Sequence, residues 1–136
     1  MRTKASGNRH RVLIIDDEES TRLLLARILT QDLKAEVTLA GTCEQALKLA
    51  GNFAYDAILL DLLMPGIGGY EVLRAIRAGS PNAHTPVVVV SVLGDPQSVE
   101  KTLAAGASAY LVKPIERRAL VAAVKTQLAA RKHPPA

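Results

Sequence analysis

Three aspartates, a serine and a lysine stand where short apolar runs end. Asp16 and Asp17 follow Val12 to Ile15, Asp61 follows Ala57 to Leu60, Ser91 follows Val87 to Val90, and Lys113 follows Ala109 to Val112. An aspartate carboxylate can attack phosphorus and hold a phosphoryl group as a mixed anhydride. Neighbouring carboxylates offer the oxygen ligands that a hard divalent cation needs. An ammonium and a hydroxyl can neutralise and hydrogen-bond the oxygens of a transferring phosphoryl group. Each residue alone has a plainer reading: acids ahead of a helix suit its macrodipole, and a serine or lysine at a strand end is commonplace. Glu18 and Glu19 are assigned that structural role. The joint pattern is what points to chemistry.

The pattern requires elements that bring these residues together. Five strands are predicted at Val12 to Ile15, Glu36 to Leu39, Ala57 to Leu60, Val87 to Val90 and Ala109 to Val112. Helix-period stretches fall between them. The first runs from Ser20 to Leu29, with Leu24, Leu25, Ile28 and Leu29 as its apolar face. Thr42 and Gln45 form a capping box that opens the second, carrying Ala46, Leu47 and Leu49 and stopped by Gly51. Tyr70 to Ala78 is the third, closed by Gly79 and Pro81. Asp95 and Pro96 read as N-cap and first position of the fourth, with Val99 and Leu103 inward and Gly106 as stop. The fifth carries Leu120, Val124 and Leu128. Strand–helix alternation with near-continuous apolar strands predicts an α/β fold, a doubly wound five-stranded parallel sheet covered on both faces. In such sheets the functional crevice lies at the carboxyl ends of the strands, where all five residues are expected.

Ile14-Ile15-Asp16-Asp17, Leu60-Asp61-Leu62-Leu63-Met64-Pro65-Gly66 and Tyr110-Leu111-Val112-Lys113-Pro114 stand in the order found in response-regulator receiver domains, and the chain resembles that family from about Arg11 to Arg131. The spacings agree as well: 44 residues from Asp17 to Asp61, 30 to Ser91 and 22 more to Lys113. The resemblance implies a (βα)5 flavodoxin-like fold with strand order 2-1-3-4-5. It also implies that Asp61 is the phosphoacceptor, and that Asp16, Asp17, Asp61 and the backbone carbonyl of Leu63 hold Mg2+, Asp16 through water. Lys113 and Ser91 would contact the phosphoryl oxygens, Ser91 and Tyr110 would form the switch, and Pro114 would follow a cis peptide. Implied partners are a histidine kinase or phosphotransfer protein and a downstream protein. Homodimerisation through the fourth helix, fifth strand and fifth helix is left open, because Ser108 and Ala109 stand where an acid often precedes the tyrosine.

Two other functions compete. A phosphorylation-independent interaction module of this fold would usually have lost an acid or the lysine, and none is lost. A phosphohydrolase with an aspartyl intermediate would be expected to carry a second acid two residues after the nucleophile, where Leu63 stands. Apolar Leu63 and Leu93 offer nothing to orient an attacking water, which predicts slow hydrolysis of the phosphoryl group. Val92 is bulkier than the residue usual at its position and is expected to narrow the entrance.

Composition narrows the remaining classes. The chain carries 17 Lys and Arg against 13 Asp and Glu. Its excess is terminal: Val12 to Ala130 holds eleven basic and thirteen acidic residues. With only Phe53 and three tyrosines as aromatics, the sequence lacks a basic stripe with stacking rings, so no specific nucleic-acid binding is expected. A single cysteine, Cys43, excludes an internal disulfide framework. His10, His84 and His133 form no metal-ligand pattern, and Met64 and Cys43 read as packing. No stretch is apolar enough for a membrane span or a secretory signal, so the cytoplasm is the expected location. The expected organisation is a flexible basic tail over 1–10, a receiver domain over 11–131 and a C-terminal tail over 132–136. The segment after the fifth helix is too short for a DNA-binding domain, so protein contact is the expected output.

Overall fold

The computed structural model of the protein describes residues 9–131, with the side chain of Arg131 excepted. The expected tails therefore lie outside the described residues, apart from Arg9 and His10. Five strands alternate with five helices: β1 (Arg11–Ile15), α1 (Glu19–Leu33), β2 (Glu36–Ala40), α2 (Cys43–Asn52), β3 (Ala57–Leu60), α3 (Gly69–Arg77), β4 (Val87–Ser91), α4 (Pro96–Ala104), β5 (Ala109–Val112) and α5 (Arg117–Arg131). The strands form one parallel sheet of order β2-β1-β3-β4-β5, the order implied by the resemblance.

Successive strand side chains point to opposite faces, and the core divides accordingly. Val12, Ile14, Ala57, Leu59, Val88 and Val90 pack on one face against Leu25, Ile28 and Leu29 of α1 and Leu120, Val124 and Leu128 of α5. Leu13, Ile15, Ile58, Leu60, Val87 and Val89 pack on the other against Cys43, Ala46 and Ala50 of α2 and Val72, Leu73 and Ile76 of α3. Strands buried on both faces need apolar residues at every position, which is why β3 and β4 read as unbroken apolar runs. Each fully buried Leu, Ile or Val stabilises the fold by about 1.5–3 kcal/mol. No helix among the described residues is long and apolar enough to cross a membrane.

Helix predictions need three corrections. Helix α1 continues past Leu29 to Leu33 and is closed by Lys34 at φ 55, whose N–H caps the Leu29 carbonyl. Gly51 does not stop α2, which runs to Asn52 and is capped by the Phe53 N–H on the Leu49 carbonyl. The inward faces of α1 and α4 are narrower than predicted: Leu24 and Leu103 are 46% and 43% exposed, while Thr102 is the buried residue of α4. Thr102 can be buried because its hydroxyl donates to the Ser98 carbonyl at 2.7 Å.

Two side chains fasten the loops at the end of the sheet away from the candidate site. Asn82, fully buried, donates to the carbonyls of Ala50 and Phe53 and accepts from the Tyr55 N–H and the Thr85 hydroxyl. Arg77 donates twice to the Gly106 carbonyl, at 3.0 and 2.9 Å, and also to those of Asn82 and Ala83. Gly106, at φ 116, adopts a backbone that disfavours a side chain, and a β-carbon there would crowd the Arg77 side chain at 3.0 Å.

Candidate functional site

The carboxyl ends of β1, β3, β4 and β5 converge as expected. Backbone hydrogen bonds extend the sheet past the strands and hold the ends in place: Asp16 N–H on the Ala40 carbonyl, Asp61 N–H on Ile15 and Lys113 N–H on Ser91, at 3.1, 2.9 and 2.8 Å. The functional side chains therefore stand on rigid backbone. Asp16 and Asp61 are buried, at 1% and 5% exposure, whereas Asp17 is exposed at the mouth. One carboxylate oxygen from each of Asp16, Asp17 and Asp61 lies within 4.8 Å of the others.

Lys113 reaches across from β5 and places its Nζ 3.0 Å from Asp16 Oδ2 and 3.3 Å from Asp61 Oδ2. The other oxygens are also held: Asp16 Oδ1 accepts the Glu18 N–H at 2.9 Å and Asp61 Oδ1 the Leu63 N–H at 3.0 Å. Burial pushes the Asp61 carboxyl above the usual aspartate range and Asp16 adds to that push; the Leu63 N–H and Lys113 oppose it without cancelling it. Burial works against the charge of Lys113, but the hydrogen bond to Asp16 and the charges of both aspartates outweigh it and hold the ammonium above its usual value.

Ser91 is fully buried at the end of β4, and its Oγ accepts the Leu93 N–H at 3.3 Å. The half-buried Tyr110 donates its hydroxyl to the Leu93 carbonyl, so both residues meet the loop between β4 and α4. Burial pushes the Tyr110 phenol above its usual value. The peptide between Lys113 and Pro114 is cis, as the resemblance implies. Leu63 and Val92 stand at the rim, 49% and 59% exposed.

Two neighbours of the acids were not singled out from sequence. Gly69, the first residue of α3, donates its N–H to the Leu62 carbonyl at 2.9 Å and lies against the backbone of Asp61. Arg22 of α1 donates Nη1 to the Asp16 backbone carbonyl at 2.8 Å. A glycine pair, Gly68-Gly69, is a signal that could have flagged the first; an arginine on a helix carries none.

Chemically, the pocket is an oxygen-rich cleft beside a fixed ammonium and a buried hydroxyl. A carboxylate has about four lone-pair sites, so the hydrogen bonds already made leave each acid able to accept a cation. Three carboxylates and no soft ligand match the preferences of a hard divalent ion, so the triad could hold a metal.

Comparison with known proteins agrees. The family described as response regulator receiver domain matches residues 12–125. The chain is 35% identical over 117 residues to the sensory/regulatory protein RpfC of Xanthomonas campestris pv. campestris, covering 85% of this chain and 16% of that protein. It is 35% identical over 131 residues to the DNA-binding response regulator MtrA of Mycolicibacterium smegmatis, covering 94% and 54%. The chain thus spans about half, or much less, of these curated relatives. Among solved structures, the receiver domain of sensor histidine kinase PA1611 from Pseudomonas aeruginosa PAO1, with a magnesium ion coordinated in its active site cleft, superposes with TM-score 0.80 at 28% identity over 89% of this chain and 98% of that one.

Proposed function

The chain belongs to the response regulator receiver domain family, and on that premise we propose that Asp61 accepts a phosphoryl group from a histidine kinase or phosphotransfer protein and thereby switches a protein-binding surface. The observation that carries this reading is the placement of Lys113 between Asp16 and Asp61 at the mouth of three converging carboxylates. An Asp61 carboxylate oxygen forms the bond to phosphorus while the donor's bond to the phosphoryl group breaks, the electron pair leaving with the donor. The product is an aspartyl phosphate.

Mg2+ is the proposed ion, held by Asp16, Asp17, Asp61 and the Leu63 backbone carbonyl; when bound it supplies positive charge to the phosphoryl oxygens. Lys113 supplies a second positive charge to those oxygens from a fixed strand end. Ser91 can turn its hydroxyl hydrogen toward a phosphoryl oxygen, because the Leu93 N–H occupies the oxygen and not the hydrogen. Tyr110 would carry that change outward, since it shares Leu93 with Ser91. The surface it serves would be that of α4, β5 and α5, for a downstream protein or a second copy of the chain. This is a signalling module whose only chemistry is on itself, and the cytoplasm, where histidine kinases present their phosphohistidine, is its proposed location. The proposed unit is the receiver domain over 11–131.

Incubation of the intact chain with Mg2+ and a small acyl phosphate, followed by intact mass measurement, tests this. One phosphoryl adduct is expected on wild type and none on Asp61→Asn, which removes the nucleophile at nearly constant volume. Equal labelling of the two would overturn the assignment.

A further inference from the structure

Of the three acids, Asp17 has the least support. Asp16 is held at every polar atom: N–H on Ala40, Oδ1 by Glu18, Oδ2 by Lys113 and carbonyl by Arg22. Asp61 is held by Lys113 and Leu63. Asp17 is exposed, and among the described residues no hydrogen bond or ion pair to its carboxylate is found. What the fold sets for it is the Cα–Cβ bond, through its backbone.

Among the contacts that hold that backbone, one is a side-chain grip on the peptide that leads into Asp17. The peptide joining Asp16 to Asp17 is planar, so whatever orients the Asp16 carbonyl also orients the bond from which the Asp17 Cα hangs. Arg22 Nη1 grips that carbonyl at 2.8 Å. The guanidinium comes close against Gly41 in the turn between β2 and α2; a β-carbon at Gly41 would stand 2.8 Å from Nη1 and 3.1 Å from Cζ. The Gly41 N–H is itself tied to Gln45 Oε1 at 2.9 Å, which sets the position of this floor.

We propose that Arg22 is the positioning residue that aims Asp17 into the acidic pocket, and that Gly41 is glycine so that the guanidinium can lie there. This rests on the reading of the acids as a Mg2+ site. Arginine fits the task because its planar fork can stack on backbone while one N–H points at a carbonyl, which a lysine cannot reproduce. Groups that orient metal ligands typically cost 10- to 100-fold in affinity when removed, and here about 10-fold is expected, since Asp17 remains present.

Calorimetric titration of Mg2+ into the intact chain tests the proposal. Arg22→Ala should bind about 10-fold more weakly, and Gly41→Ala should weaken binding in the same direction by pushing the guanidinium off its seat. With no guanidinium to displace, the double variant should bind no more weakly than Arg22→Ala, the non-additivity expected of residues that act through one contact. Arg22→Lys should not restore affinity. The rate of Asp61 phosphorylation at saturating Mg2+ should be kept in all of them, only its half-saturating Mg2+ concentration rising. Wild-type affinity in Arg22→Ala, full additivity in the double variant, or full rescue by lysine would each overturn the proposal. Asp17→Asn separates the two levels. If it binds Mg2+ as wild type does, the metal site reading fails; if it binds weakly while Arg22→Ala does not, the role of Arg22 alone fails.

Discussion

Gly69 lies against Asp61 so closely that a β-carbon on it would stand 2.1 Å from the Asp61 carbonyl oxygen and 2.5 Å from the Leu62 Cα. Both obstacles are backbone, and neither can swing aside. Gly69→Ala must therefore move the start of α3 away from the end of β3. Overpacking of this kind costs about 1–3 kcal/mol, so the urea midpoint should fall and the rate of Asp61 phosphorylation should fall with it. An unchanged midpoint would mean that the loop yields more easily than its hydrogen bond to Leu62 suggests.

Mg2+ should stabilise the fold by mass action, because the converged acids exist only in the folded chain. At 100 times the dissociation constant the gain is about 2.7 kcal/mol, visible as a raised melting temperature. Asp17→Asn should lose most of that gain; an equal rise in the variant would show that the ion binds elsewhere.

The raised pKa of Asp61 has a definite sign in the metal-free protein. The folded state holds the Asp61 proton to a higher pH than the unfolded chain does. Above about pH 4, the reference value for aspartate, the unfolded chain releases that proton first, so stability falls as pH rises until the folded carboxyl has also titrated. Asp32, held below its usual value by its hydrogen bond to Arg117, works in the opposite sense. The informative quantity is the stability of wild type minus that of Asp61→Asn in chelator. It should decline from pH 4 toward neutrality, and a flat difference would contradict the assigned shift.

Leu63 should govern how long the phosphoryl group survives. Its side chain stands 49% exposed at the rim and offers no polar atom to a water approaching Asp61. Leu63→Asn would place an amide there that can hydrogen-bond a water, and should shorten the phosphoryl half-life about tenfold, roughly the worth of one hydrogen bond in the barrier. Decay followed by intact mass gives the answer directly, and a wild-type half-life no longer than that of the variant would count against slow hydrolysis.

Asn82 should be the costliest polar residue to remove far from the site. Asn82→Ala leaves two carbonyls and an N–H without their partner, while the Thr85 hydroxyl keeps the Tyr55 carbonyl. At about 1–3 kcal/mol for each buried group left unsatisfied, a loss of at least about 3 kcal/mol is expected in chemical denaturation, with Mg2+ affinity kept. A loss under about 1 kcal/mol would mean that water replaces the amide.

Strands were legible to within a residue at each end, because burial on both faces makes their apolar runs continuous and the acids, serine and lysine end them sharply. The order of the strands was not legible from the pattern; a parallel sheet leaves no trace of which strand adjoins which, and only the resemblance supplied it. Helix α1 was cut short because its closing residue is Lys34 in a left-handed conformation, where a glycine would have announced the end. Leu103 was placed inward by periodicity, but α4 buries little against the sheet, and Thr102 took the inner position by bonding to Ser98. The acids, Ser91 and Lys113 were legible since they lie at strand ends. Arg22 and Gly41 were not, for their contacts are with backbone and no residue pattern records them, and the glycine pair that could have flagged Gly69 does not say which backbone it lies against.

The strap that Arg77 makes on Gly106 gives α4 the mechanics of a cantilever. Its far end is clamped by two hydrogen bonds to one carbonyl, while its near end, at Asp95, is exposed and capped by the Asp95 carboxylate, which accepts the Ser98 N–H. Nine residues at about 1.5 Å each make a lever of about 13 Å. A tilt of about 10° at the clamp would carry the near end, beside Leu93 and Gly94, through about 2 Å, taking that helix length as the arm. Any tilt of α4 would thus pivot at a point set by an arginine on a different element.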